Sequence, residues 1–137
     1  MNSLTIAIYY SENDRNGERL EGILRKLVPS KDIQAYRTVD DLSRSLRQPG
    51  HTFDILVLVP AMGPELLNLL RIRYLLTDLR IVLVLPDRSG DTIARGHTLY
   101  PRYVSYADGD FSDVAAVLDK MLQMENGGAT VQSAHLH

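Results

Sequence analysis

The sequence predicts an α/β domain on a doubly wound, five-stranded parallel sheet of strand order 2-1-3-4-5, with helices on both faces. Three observations predict it. Five short runs rich in β-branched and aromatic residues alternate with helical patterns, as βαβ units require. The third and fourth runs are almost wholly apolar, as strands covered on both faces should be. A chain of 137 residues, 45% hydrophobic and 23% charged, has the length and composition of one folded core rather than of a disordered segment.

The first strand, Leu4 to Tyr10, is an apolar run with neither the basic flank nor the small-residue cleavage site of a leader. A helix follows, with Leu20, Ile23, Leu24, Leu27 and Val28 at three- and four-residue spacing and Ser11 or Asn13 as its cap. The second strand, Ile33 to Arg37, is more polar and suits a sheet edge. A shorter helix running from Val39 through Leu42 and Leu46 stops before Pro49 and Gly50. The third strand, Ile55 to Val59, leads to a helix opened by Gly63-Pro64-Glu65, with proline at the first helical position and an acid near the positive end. That helix is broadly apolar from Leu66 to Leu76. After the fourth strand, Ile81 to Leu85, the helix within Ser89 to Tyr100 is the weakest, because Gly96 interrupts its few apolar positions. The fifth strand, Tyr103 to Tyr106, precedes a helix with Phe111, Val114, Val117, Leu118, Met121 and Leu122 on one side. Its pattern fades after Gln123, so residues 1–126 read as the domain and 127–137, from Gly127-Gly128, as a tail or linker.

Composition excludes several classes of function. Without cysteine there is no disulfide framework, thiolate metal site or cysteine nucleophile, which favours a cytoplasmic setting. No stretch approaches the roughly 20 apolar residues of a membrane span. No GxGxxG, Walker, HExxH or GxSxG pattern occurs. His51 and His97 lack an evident acid-base partner, and His135 and His137 at the terminus read as solvated rather than metal-binding. Net charge is -2, unevenly spread. Residues 71–102 hold six arginines against three aspartates, a net +3, while residues 103–126 carry five acids against Lys120, a net -4. The overall acidity and the absence of a recognition-helix or stacking signature speak against nucleic acid.

The five-fold alternation, its spacing and the segments DILVLVPAMGPELL and RIVLVLP resemble the receiver domain of two-component response regulators over residues 4–126. The resemblance implies a flavodoxin-like, receiver-like sheet whose carboxyl-terminal rim carries phosphorylation chemistry: an acidic pair after the first strand, a phosphoacceptor aspartate ending the third, a hydroxyl ending the fourth and a lysine ending the fifth. Here those positions hold Tyr9 and Tyr10, Val59, Leu85, and Tyr106 or Ala107. Binding Mg²⁺ takes carboxylate oxygens, and phosphoryl transfer takes a nucleophile and a cation. Four changes together therefore imply a pseudo-receiver: a signalling module, not an enzyme, that takes no cofactor or metal and acts by phosphorylation-independent contact with a protein partner. Glu12, Asp14, Asp87 and Asp108 lie near the rim as substitutes for the acidic pair, or as helix caps.

Pseudo-receivers of this kind occur in circadian-clock and other bacterial regulators, which implies an input or docking role. In receivers the face of the fourth helix, fifth strand and fifth helix often forms a symmetric dimer. Arg95, Arg102, Tyr103, Asp113 and Asp119 are the corresponding partner-binding candidates, with a homodimer as one expected outcome. The competing expectation is a flavodoxin-like module that binds a quinone, flavin or nucleotide in the vacated rim pocket. Its loop Ser11 to Gly17 lacks the threonine-rich, glycine-bearing spacing of a phosphate cradle.

Overall fold

Parallel strands bury both faces, and the central strands here carry side chains that allow it. In the computed structural model, which describes residues 5–50, 53–61 and 63–134 with side chains to Gln123, the order is β1(Thr5–Tyr10), α1(Arg15–Leu27), β2(Ile33–Tyr36), α2(Val39–Arg47), β3(Phe53–Val59), α3(Gly63–Arg71), β4(Arg80–Leu85), α4(Gly90–His97), β5(Tyr103–Tyr106) and α5(Ser112–Ala134). Short 3-10 turns occupy Ser30–Asp32 and Arg73–Leu75. The five strands form one parallel sheet ordered β2-β1-β3-β4-β5, as expected, and the polar β2 lies at an edge.

Alternation along the strands divides the core in two. Ala7, Tyr9, Leu56, Leu58, Leu83 and Leu85 face α2, α3 and α4, where they meet Leu42, Leu66 and Leu69 together with Leu99 just after α4. Ile6, Ile8, Tyr10, Val57, Val59 and Val84 face α1 and α5, where they meet Leu20, Leu24, Phe111, Val114 and Leu118. Each fully buried aliphatic side chain contributes about 1.5–3 kcal/mol, so the central strands anchor the whole domain.

Several boundaries differ from the sequence reading. Asp14, not Ser11 or Asn13, caps α1: its side chain accepts from the N–H groups of Asn16 and Gly17 at 3.0 and 3.4 Å. Asn13 instead takes a left-handed turn at φ 68°, which asparagine tolerates. β3 begins two residues early, at Phe53, and β2 ends one early, at Tyr36. The apolar stretch to Leu76 is not one helix, since α3 ends at Arg71 and the 3-10 turn follows. Gly96 does not break α4. It lets the helix approach the sheet, where an added Cβ would lie 2.9 Å from Leu83 Cδ2. Nor does Gly127-Gly128 end the last helix, which continues to Ala134. Leu4, His51, His135 and His137 lie outside the described residues. No helix among the described residues is long and apolar enough to cross a membrane.

Among the described glycines the tightest is Gly17 in α1, where an added Cβ would sit 2.1 Å from Tyr10 Cγ, a ring-root atom that cannot swing away. Gly17→Ala is therefore expected to destabilise the domain by about 2–3 kcal/mol in urea unfolding. Gly22→Ala in the same helix meets nothing within 4 Å and should stabilise by about 0.5–1 kcal/mol.

Candidate functional site

In an open parallel sheet the carboxyl ends of the strands form the rim where chemistry is usually placed. Parallel register brings the expected residues together there: Tyr10 pairs with Val59 across β1 and β3, and Leu85 pairs with Tyr106 across β4 and β5. All but Tyr106 are buried, but on two faces of the sheet: Tyr10 and Val59 lie on the α1 and α5 side, while Tyr9, Leu85 and the half-buried Tyr106 lie on the α2, α3 and α4 side.

Each phenol at the end of β1 has a carboxylate partner. The Tyr10 hydroxyl donates to Glu21 Oε1 of α1. Glu21 also accepts from Arg25 Nη2 at 2.7 Å, and Arg37 Nη2 stands 4.0 Å from its other oxygen. The Arg37 guanidinium lies 4.3 Å above the Tyr10 ring centroid, within cation-π range. On the other face, Tyr9 donates to Glu65 Oε1 at 3.4 Å, and the same oxygen accepts the Ala61 N–H at 2.9 Å. Burial, then the hydrogen bond and negative charge of Glu21, push the Tyr10 hydroxyl up to about 12, against a smaller opposing effect of Arg37. Burial first, and then Glu65, raise Tyr9 further still.

Beside Tyr106 stands a solvent-exposed ion pair. Arg88 lies 3.9 Å above the Tyr106 centroid and reaches Asp108 through Nε and Nη2 at 3.3 and 3.0 Å. Hydrogen bonding to Asp108 raises Arg88 and lowers Asp108 from their ordinary values. Asp87 accepts the Ser89 N–H at 2.9 Å, which lowers its carboxyl, and Asp14 caps α1. These three acids thus act as caps and ion-pair partners.

The partner-face candidates separate into two groups. Tyr103 donates to Asp113 Oδ2 at 2.9 Å, joining β5 to the start of α5. Burial raises the Asp113 carboxyl, but hydrogen bonds from Ser105 and Tyr103 outweigh it and leave the group below its ordinary value. Arg95 on α4 and Arg102 before β5 are exposed, and among the described residues neither side chain has a hydrogen-bonded or ion-paired partner. Asp119 on α5 is exposed and accepts from Gln123 Nε2 at 3.0 Å.

Sequence reasoning missed Gly17, Glu21, Arg37, Glu65 and Arg88 as members of the rim. One signal was available: Glu21 lies four residues after Gly17 and three before Leu24, on the stripe that α1 turns to the sheet. The meeting of Arg37 and Arg88 with aromatic rings depends on loop geometry that no spacing encodes.

No protein-family model matches the sequence, and no curated protein matches it. Solved structures do resemble it in shape. A phosphorylated cyanobacterial phytochrome response regulator, RcpA, superposes with a TM-score of 0.65 at 14% identity, covering 89% of this chain and 94% of its own. A two-component response regulator from Legionella pneumophila gives 0.64 at 14% identity over 88% and 98% of the two chains. The receiver domain of the putative response regulator NarL from Mycobacterium tuberculosis gives 0.58 at 14% over 87% and 97%. At such identity the likeness establishes the receiver fold alone.

Because folding raises the ionisation of Tyr10 above its unfolded value of 10.0, the resulting stability is complete below pH 10 and is lost as the pH rises toward 12. Absorbance titration should show the Tyr9 and Tyr10 phenolates appearing only together with loss of the circular dichroism signal. Tyr10→Phe leaves the buried Glu21 carboxylate one donor short and is expected to cost about 1–3 kcal/mol near neutrality.

Proposed function

We propose that this chain is a pseudo-receiver, a bacterial cytoplasmic signalling module that works by phosphorylation-independent contact with a protein partner and has no enzymatic activity of its own. The observation that carries the reading is the filled rim: Val59 stands in register with Tyr10, both are buried, and the Tyr10 hydroxyl is committed to Glu21. A receiver needs a carboxylate nucleophile and Mg²⁺-binding oxygens at this point, and the residues present do not fit that ion. Among the described residues, no cluster of three or more acidic or histidine side chains is arranged to hold a metal.

The contact surface in this reading is the face of α4, β5 and α5. Arg95 and Arg102 supply exposed cations and Asp119 an exposed acid, a set able to complement itself across a two-fold axis. Asp113 joins that face as a partly exposed acid that also fixes Tyr103.

The small-ligand reading is the weaker one. The Tyr9 and Tyr10 rings at the end of β1 are packed into the core and offer a flavin, quinone or nucleotide no exposed aromatic face to stack on. The groove of about 440 Å³ that touches Tyr9 lies to one side, between α2 and α3, and is lined by Arg37, Thr38, Asn68 and Arg71.

Incubation with acetyl phosphate and Mg²⁺ followed by intact mass measurement is expected to leave the protein unmodified. A stable phosphoryl adduct would sink the pseudo-receiver reading. Sedimentation at high concentration and low salt is expected to show a reversible dimer that Arg95→Glu or Arg102→Glu dissociates; a wild-type protein that stays monomeric removes the homodimer from the proposal.

A further inference from the structure

Soluble domains seldom gather their exposed apolar side chains in one place without a use for them. Among the described residues the large exposed apolar side chains are Leu67, Tyr74 and Tyr100, and all three line two adjoining grooves at the end of the domain remote from the rim. One groove, about 550 Å³, runs along the end of α3 past Leu67, Leu70, Arg71, Arg73 and Tyr74. The other, about 540 Å³, shares Arg73 and Tyr74 and continues over Leu79 and Leu99 to Tyr100, beyond the end of α4.

Tyr100 adds an observation of a different kind. It holds φ 52°, a left-handed conformation costly for a side chain with a Cβ, and the following Pro101 restricts it further. Glycine or asparagine would close this turn at lower cost. The tyrosine gains little burial in return, since it is 85% exposed. Strain kept at so exposed a residue on the lip of a groove points outward, to something that binds it. Tyr74, 60% exposed, is already oriented: Arg47 Nη2 donates to its hydroxyl at 2.7 Å and the guanidinium stands 6.0 Å from its ring centroid.

Arg71 and Arg73 line these grooves, and no aspartate or glutamate does. Arginine and tyrosine around an apolar floor are the residues that dominate protein-protein contacts. A small molecule in either groove would leave the other and much of both tyrosines wet, whereas an extended segment crossing the shared Arg73-Tyr74 ridge covers both. We propose that these grooves at the ends of α3 and α4 dock an acidic peptide segment of a partner protein, its carboxylates on Arg71 and Arg73 and its apolar side chains against Leu67, Tyr74 and Tyr100. This surface is distinct from the face of α4, β5 and α5 and does not depend on how the rim is read.

The test uses the full chain and a fluorescein-labelled, glutamate-rich peptide carrying leucines, beside versions with lysine for glutamate or serine for leucine. Fluorescence anisotropy is expected to show saturable binding of the first peptide only, weakened about tenfold by Arg73→Glu. Amide shift changes should centre on Leu67, Arg73, Tyr74 and Tyr100. Tyr100→Asn separates binding from folding: it should weaken binding severalfold while leaving the Tm unchanged or raising it by about 2 °C, because asparagine accepts the left-handed turn. The proposal is overturned by absence of binding, by equal binding of the lysine peptide, by shifts centred on α5, or by Tyr100→Asn binding as tightly as wild type. A single-stranded oligonucleotide binding these residues more tightly than the peptide would overturn it as well, in favour of nucleic acid.

Discussion

The arrangement at the carboxyl end of β1 depends on one contact, the Tyr10 ring against Gly17 of α1. A phenol is too long to end this strand beneath a helix unless the helix offers bare backbone, and Gly17 provides it. One turn later Glu21 then falls within reach of the Tyr10 hydroxyl. The carboxylate so placed is 9% exposed and would be costly by itself, which accounts for the convergence of Arg25 and Arg37 upon it. Arg37 in turn seals the ring from above. A glycine, a glutamate and two arginines from α1 and the end of β2 thus follow from the choice of tyrosine at position 10. A side chain introduced at position 59 would meet this arrangement directly, since Val59 stands in register with Tyr10.

Charge near the opposite side of the rim is similarly employed. The sequence holds a basic segment followed by an acidic one, and part of that contrast is neutralised inside the molecule by Arg88 and Asp108, a solvent-exposed pair whose worth lies in geometry more than in energy. It holds the loop after β4 to the loop after β5 across Tyr106. Among the charges of these segments left turned to solvent are Arg71, Arg73, Arg95 and Arg102 in the basic part and Asp119 in the acidic part.

Strand order, the two-layered core and the positions of Tyr9, Tyr10, Val59, Leu85 and Tyr106 were legible in the sequence, because period-two burial and parallel register leave little freedom in where a strand ends. Helix ends were less so. Gly96 and Gly127-Gly128 read as breaks, yet glycine reports only a backbone without a side chain; whether that serves a turn or a close approach is decided by the neighbour, here Leu83 in the case of Gly96. The apolar run through Leu76 concealed the end of α3, since periodicity does not separate an α-helix from a 3-10 turn of the same polarity. The grooves beside Tyr74 and Tyr100 were illegible for the opposite reason. Exposure of an aromatic residue is a property of what fails to pack against it, and no local pattern states that.

The two proposed surfaces are neighbours along the chain. Tyr100 belongs to the grooves, and Arg102, two residues on, belongs to the face of α4, β5 and α5. Between them Pro101 removes one backbone donor and stiffens the connection, and the Arg102 N–H is fixed to the Ile81 carbonyl at 2.8 Å, at the start of β4. Tyr100 thus sits on a short, stiff segment whose far end, the exposed Arg102, is pinned to the sheet through its backbone. Coupling between two sites requires that each ligand bias the same element. The connection between α4 and β5 is the segment that carries residues of both proposed surfaces, Tyr100 and Arg102.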